Sequence, residues 1–135
     1  MRIAIATAAA LILAASAQAQ PLNCANATTQ TDMNLCADQA YRKSDADLNK
    51  VYKTVIGRLK NDRTQTTQLQ AAQKAWLFFR DAECAFSASG TTGGSVYPMV
   101  LSQCLDTLTQ ARTKALGAYL KCQEGDLSCP VPAKE

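Results

Sequence analysis

Histidine is absent from this 135-residue chain. That removes the commonest general base, proton shuttle and metal ligand. No two cysteines have the C-x-x-C spacing, so a zinc ribbon and a thiol-redox centre both lack their usual signature. A phosphate-cradling G-x-x-x-x-G-K-[ST] loop is missing as well. The charges, 14 Lys and Arg against 11 Asp and Glu, are scattered and form no basic stripe for nucleic acid. No segment alternates with the period of two expected of strands. Asp81 and Glu83 fall on different faces of a helix, which argues against a glycosidase carboxylate pair. Together these absences predict a non-catalytic protein with no metal and no cofactor.

Long apolar runs are also scarce. Ile3 to Ala15 is one, preceded by Arg2 and followed by Ala17-Gln18-Ala19. It is too short to span a bilayer, which takes about 20 residues. A positive start, an apolar stretch and small residues at the end are the pattern of a signal peptide, residues 1–19, cleaved after Ala19. Leu22-Asn23 before Cys24 lacks the small residues of a lipoprotein site, so no membrane anchor is expected in the mature chain. About 116 residues remain, enough for one core. Removing Arg2 leaves 13 basic against 11 acidic side chains. The expected location is periplasmic or secreted.

What the chain does have is six cysteines: Cys24, Cys36, Cys84, Cys104, Cys122 and Cys129. An even count in an exported chain reads as disulfides. Spacing alone leaves the pairing open, although Cys122 and Cys129 are placed for a local bridge.

Three stretches carry helical periodicity. In the first, Met33, Cys36, Ala40, Leu48, Tyr52, Val55 and Leu59 recur at steps of three, four or twice four, with Thr29 and Asp32 as a capping pair. Asn61-Asp62-Arg63-Thr64 reads as the turn that ends it. The second is predicted to begin near Thr67, capped with Gln70, and to bury Leu69, Ala72, Trp76, Phe79 and Phe86. It stops in the glycine-rich stretch from Ser87 to Gly94. The third begins with Ser95 as cap and Pro98 in its first turn. Its inner stripe is expected to be Leu101, Cys104, Leu108, Ala111, Ala115 and Tyr119.

Short connections make successive helices antiparallel. The predicted fold is all-α, a small antiparallel three-helix bundle stapled by disulfides. It comprises residues 20–122, with 123–135 a flexible tail. Cys36, Cys84 and Cys104 fall at one end of the bundle with Cys24 just outside it. Two bridges among these four would tie the N-terminal arm and all three helices together, each contributing about 2–4 kcal/mol.

Two sets of residues are candidates for a site. Asp45, Asn49 and Tyr52 share one side of the first helix; Gln73, Trp76 and Arg80 share one side of the second; Arg112 lies beside the stripe of the third. They form either a hydrogen-bonded network that fixes helix register, with Asp45 paired to Arg80 or Arg112, or a polar cleft for a ligand. The cost of burying such groups unpaired favours the network. The second set is the loop Ser89, Gly90, Thr91, Thr92, Gly93, Gly94 and Ser95, with Tyr97 as an aromatic anchor. Its glycines leave the backbone bare for close approach to a partner, although it also serves simply as a helix–helix connection.

The order of these pieces resembles the LprI-type lysozyme inhibitor family. The resemblance rests on Cys24 and Cys36; Asp45, Leu48, Asn49 and Tyr52; Gln73, Trp76, Arg80 and Cys84; Gly93-Gly94-Ser95; and Cys104 with Arg112. It runs from about Cys24 to Leu116, and Cys122 and Cys129 are additions to it. The resemblance implies an exported all-helical bacterial domain, with inhibition of lysozyme as the activity the family is named for. The leading reading is then a non-catalytic binder that protects the bacterial cell wall by blocking a lysozyme, with an exposed loop inserted into the substrate cleft. The other reading is a periplasmic protein-interaction or envelope-stress module whose partner is a different periplasmic protein. Against a basic lysozyme, the slight positive charge requires local rather than overall complementarity.

Overall fold

In the computed structural model, which describes residues 22–133, local capping chemistry sets where each helix begins. The predicted signal peptide lies outside these residues. Thr29 caps α1 (Gln30–Arg58): its Oγ1 accepts from the Asp32 N–H at 3.1 Å and donates to the Asp32 carboxylate at 2.7 Å. At the far end the Leu59 N–H is shared between the carbonyls of Val55 and Ile56.

The next helix starts earlier than its sequence pattern predicts. Asp62 caps α2 (Arg63–Ser87), accepting from the Gln65 N–H at 2.8 Å. The turn is therefore shorter than expected, and Arg63 and Thr64 are already helical. Thr67 does not cap; its hydroxyl bonds back to the Arg63 carbonyl. Thr66 closes the corner by donating to the Leu59 carbonyl at 3.0 Å.

A 3₁₀ turn, Ser89–Thr91, leads towards α3 (Tyr97–Tyr119), with Pro98 in its first turn. Val96 occupies the cap position without a side-chain bond. Ser95 does not cap as predicted; its carbonyl accepts from Asn34 Nδ2 at 2.9 Å.

The three helices form the predicted disulfide-stapled bundle. Asn34–Ser95 and Gln30–Met99 contacts join the starts of α1 and α3, and Arg58 Nη1 donates to the Leu120 carbonyl near their ends. These two helices thus run parallel and pack along each other, while α2 runs antiparallel and rests more lightly on α3. The inner stripes are not the predicted ones throughout. On α1 the buried positions are Ala37, Ser44, Leu48 and Val55, and Ala40 is exposed. On α3 they are Ser102, Thr109 and Leu116, whereas Ala111 and Ala115 face solvent. Small side chains at Ala37, Ser44 and Ser102 let the parallel helices approach closely, so closeness outweighs apolar content there. Fully buried Leu48, Val55 and Leu116 supply the apolar packing, each worth roughly 1.5–3 kcal/mol.

The rotation of α2 departs most from expectation. Gln73, Arg80 and Cys84 are buried, Leu69 and Trp76 half-buried, and Ala72, Phe79 and Phe86 exposed. The Cys84–Cys104 disulfide explains this. Cys84 must face α3, and at 100° per residue Phe86 is then carried to the opposite side.

The disulfides are Cys24–Cys36, Cys84–Cys104 and Cys122–Cys129. The first ties the N-terminal arm to α1 and the second ties α2 to α3. No bridge joins α1 to the other helices, contrary to expectation, so noncovalent contacts alone hold it.

The segment after α3 is not uniformly loose either. Gly125, at φ +83°, and an Asp126 side chain that accepts from the Ser128 backbone and hydroxyl turn the chain back. Val131 is only 4% exposed, packed on Val55 and Leu59 with Leu69, Tyr119 and Leu120 around it.

Candidate functional site

Arg80 lies where the three helices meet, and its side chain is 7% exposed. From α2 it grips its neighbour Asp81, with Nε and Nη2 at 2.9 and 2.8 Å from one carboxylate oxygen. Nη1 reaches Asp45 of α1 at 3.4 Å and Thr109 of α3 at 3.5 Å. The guanidinium also sits over two rings, 5.5 Å from the centre of Tyr41 and 5.3 Å from that of Trp76. Arg112 approaches the same Trp76 ring at 5.8 Å, and its Nε donates to Gln73 Oε1 at 3.0 Å. Asn49 donates to the Asp45 carboxylate and carbonyl.

The predicted polar residues therefore come together. Asp45 pairs with Arg80, and Gln73 accepts from Arg112. Tyr52 joins Asp45, Asn49 and Gln73 in lining a groove of about 240 Å³ between α1 and α2.

Three participants escaped the sequence reading: Tyr41, Asp81 and Thr109. Each had a signal. Tyr41 precedes Asp45 by one helical turn, Asp81 adjoins Arg80, and Thr109 precedes Arg112 by three residues. Burial raises the Tyr41 hydroxyl pKa, with Arg80 opposing the shift.

The loop lies at the end of the bundle where α2 passes into α3. Cys84–Cys104 closes it, and Ala88, fully buried, anchors its base. Thr91 donates to the Ala88 carbonyl at 2.8 Å, the Gly94 N–H to the Thr91 carbonyl at 2.9 Å, and Asn34 holds the Ser95 carbonyl. Ser89, Gly90, Thr92, Gly93, Gly94 and Ser95 are exposed, and Thr91 is half-buried. Gly93 adopts φ +80°, and a Cβ at Gly94 would lie 3.1 Å from the Thr91 carbonyl oxygen. Gly90 has neither constraint. Tyr97 is half-buried, lining a groove with Asn34, Leu35 and Leu101 rather than standing at the loop tip.

Residues 23–116 match the family model described as Lysozyme inhibitor LprI. The chain belongs to the LprI family. The matched stretch of this LprI-family chain contains the polar cluster, the loop and the disulfides Cys24–Cys36 and Cys84–Cys104. The chain is 36% identical to an uncharacterized protein of Rhizobium meliloti (strain 1021), over 82% of its own length and 87% of the relative's. It is 31% identical to the uncharacterized protein YecT of Escherichia coli (strain K12), over 73% and 71% of the two chains. A crystal structure of a DUF1311-family protein from Pseudomonas putida KT2440 shares its fold, with a TM-score of 0.61 and 22% identity. That alignment spans 67% of this chain and 92% of the other.

Proposed function

We propose that this chain is an exported, non-catalytic binding protein that inhibits a lysozyme, with Ser89–Ser95 as the contacting loop. The family description supplies the activity. The observation that supports the loop is its construction. Its tip is bare and exposed, while a disulfide and the Asn34–Ser95 bond fix its two ends. A loop held in shape before binding loses little conformational freedom on entering a cleft. Export is supported by the three disulfides, which persist in oxidising compartments, and by the apolar start of the chain. Arg80 serves in this reading to lock helix register, because Nε, Nη1 and Nη2 are all engaged within the protein.

The test is a cell-wall lysis assay with several lysozyme types, comparing the parent with Gly90→Arg. Gly90 is the proper probe, since substitution at Gly93 or Gly94 would distort the loop itself. Inhibition by the parent and its loss in Gly90→Arg, at an unchanged melting temperature, is the expected result. Full inhibition by the variant would move the contact to the helix faces. No inhibition of any lysozyme type would favour a different periplasmic protein as partner.

A further inference from the structure

The outward face of α2 is apolar along its second half and has no partner among the described residues. Phe78, Phe79 and Phe86 are 79%, 52% and 76% exposed. Ala71, Ala75 and Ala82, also exposed, fill the same stripe between them. Soluble monomers rarely leave a contiguous apolar patch of more than a few hundred Å² open to water. With about 200 Å² per ring, the three phenylalanines alone present roughly 400 Å².

The order of residues along the stripe points to its occupant. About the midpoint between Phe78 and Phe79, Ala75 is mirrored by Ala82, and Ala71 by Phe86. We propose that this face pairs, antiparallel across a two-fold axis, with the same face of a second copy of the chain. A two-fold interface is self-complementary by construction. Here it sets each Phe86 over the small Ala71 of the other copy and brings Ala75 against Ala82, so the helices approach closely at the flanks of the central phenylalanines.

Charge along one edge supports the same antiparallel pairing. Lys74 and Asp81 are seven residues apart and share one edge of the stripe. Antiparallel pairing across the axis keeps like edges together, so Lys74 comes within two residues, about 3 Å along the helix, of Asp81 of the second copy, twice. Both are exposed, with 62% of the Asp81 side chain open to solvent. Two copies of the aromatic surface with the intervening alanines bury about 1,000 Å², the size at which specific pairing begins. The loops Ser89–Ser95 are sent to opposite ends of the pair and stay free.

Sedimentation velocity on the full mature chain, from low micromolar to about 100 µM, tests the pairing. The parent should form a dimer. Ala75→Lys and Ala82→Glu should each weaken it at least about tenfold, and both keep a good helix former at a solvent-facing site. Circular dichroism and melting temperature check that the fold is retained. Mixing the two variants should restore a dimer, because positions 75 and 82 face each other across the axis. Lys74→Glu should weaken pairing and reverse its response to salt. A parent that stays monomeric overturns the proposal, as do well-folded Ala75→Lys and Ala82→Glu chains that still dimerise. A mixture that fails to pair overturns the antiparallel register. A monomeric parent whose Ala82→Glu variant loses lysozyme inhibition would instead assign this face to the lysozyme.

Discussion

Replacing Arg80 by alanine tests the idea that this one side chain of α2 joins it to both α1 and α3, adding to the packing of α1 on α3. The guanidinium touches all three helices, and α1 has no disulfide to the other two. Removing one partner of a fully buried ion pair costs about 3–5 kcal/mol. Here Asp81 and Asp45 are 62% and 38% exposed. Water can therefore solvate the abandoned carboxylates, and the ionic part must be discounted. The contacts of the guanidinium with Tyr41 and Trp76 add roughly 0.5–1 kcal/mol each, and the emptied space between the helices adds a cavity term. The expected loss is about 2–4 kcal/mol. Arg80→Lys keeps the charge but not the planar fork, and should recover only part of it. Urea unfolding followed by circular dichroism, with the disulfides intact, gives the number, provided the denaturant slope is unchanged. A double-mutant cycle with Asp45→Asn should return a coupling below about 1 kcal/mol, because the contact is 3.4 Å long and partly wet. An Arg80→Ala protein within about 0.5 kcal/mol of the parent, the usual range for surface changes, would refute the reasoning.

Val131→Ala should cost about 1–2 kcal/mol in the same urea assay, since it removes two buried methyl groups; a loose tail would show no change. Burial raises the Tyr41 pKa, so its contribution to stability is complete below the unfolded value near 10 and is lost as pH rises through the higher folded value. Stability measured against pH should therefore fall more steeply above about pH 10 in the parent than in Tyr41→Phe. Mass spectrometry of exported protein should find Gln20 as the first residue and three disulfides; free thiols at Cys84 and Cys104 would contradict the staple between α2 and α3.

For Asp45 the sequence left Arg80 and Arg112 open, and the tertiary structure chose Arg80. The number of helices and their approximate extents, by contrast, were legible in the sequence, because helix periodicity, capping and i, i+4 neighbours are local properties. Thr29 with Asp32 could be read as a cap for that reason. Asp62 was missed as one only because a second plausible cap, Thr67, stood five residues on. The face that each helix buries was a different matter. Phe79 and Phe86 are more apolar than Gln73 and Arg80, and transfer energy alone would turn them inward. Tertiary structure reversed that order. The Cys84–Cys104 bond fixed the rotation of α2, and the polar side chains found partners on neighbouring helices that no single helix displays. The same holds for Ala111 and Ala115, which lost the interior to Thr109 and Leu116 once α3 lay parallel to α1. Val131 shows it again, drawn into the core by a turn at Gly125 and Asp126. Local sequence settled what forms a helix and where it starts. Only contacts distant in the chain settled which side of each helix was shut away from water, because burial depends on which partner arrives and not on the residue alone.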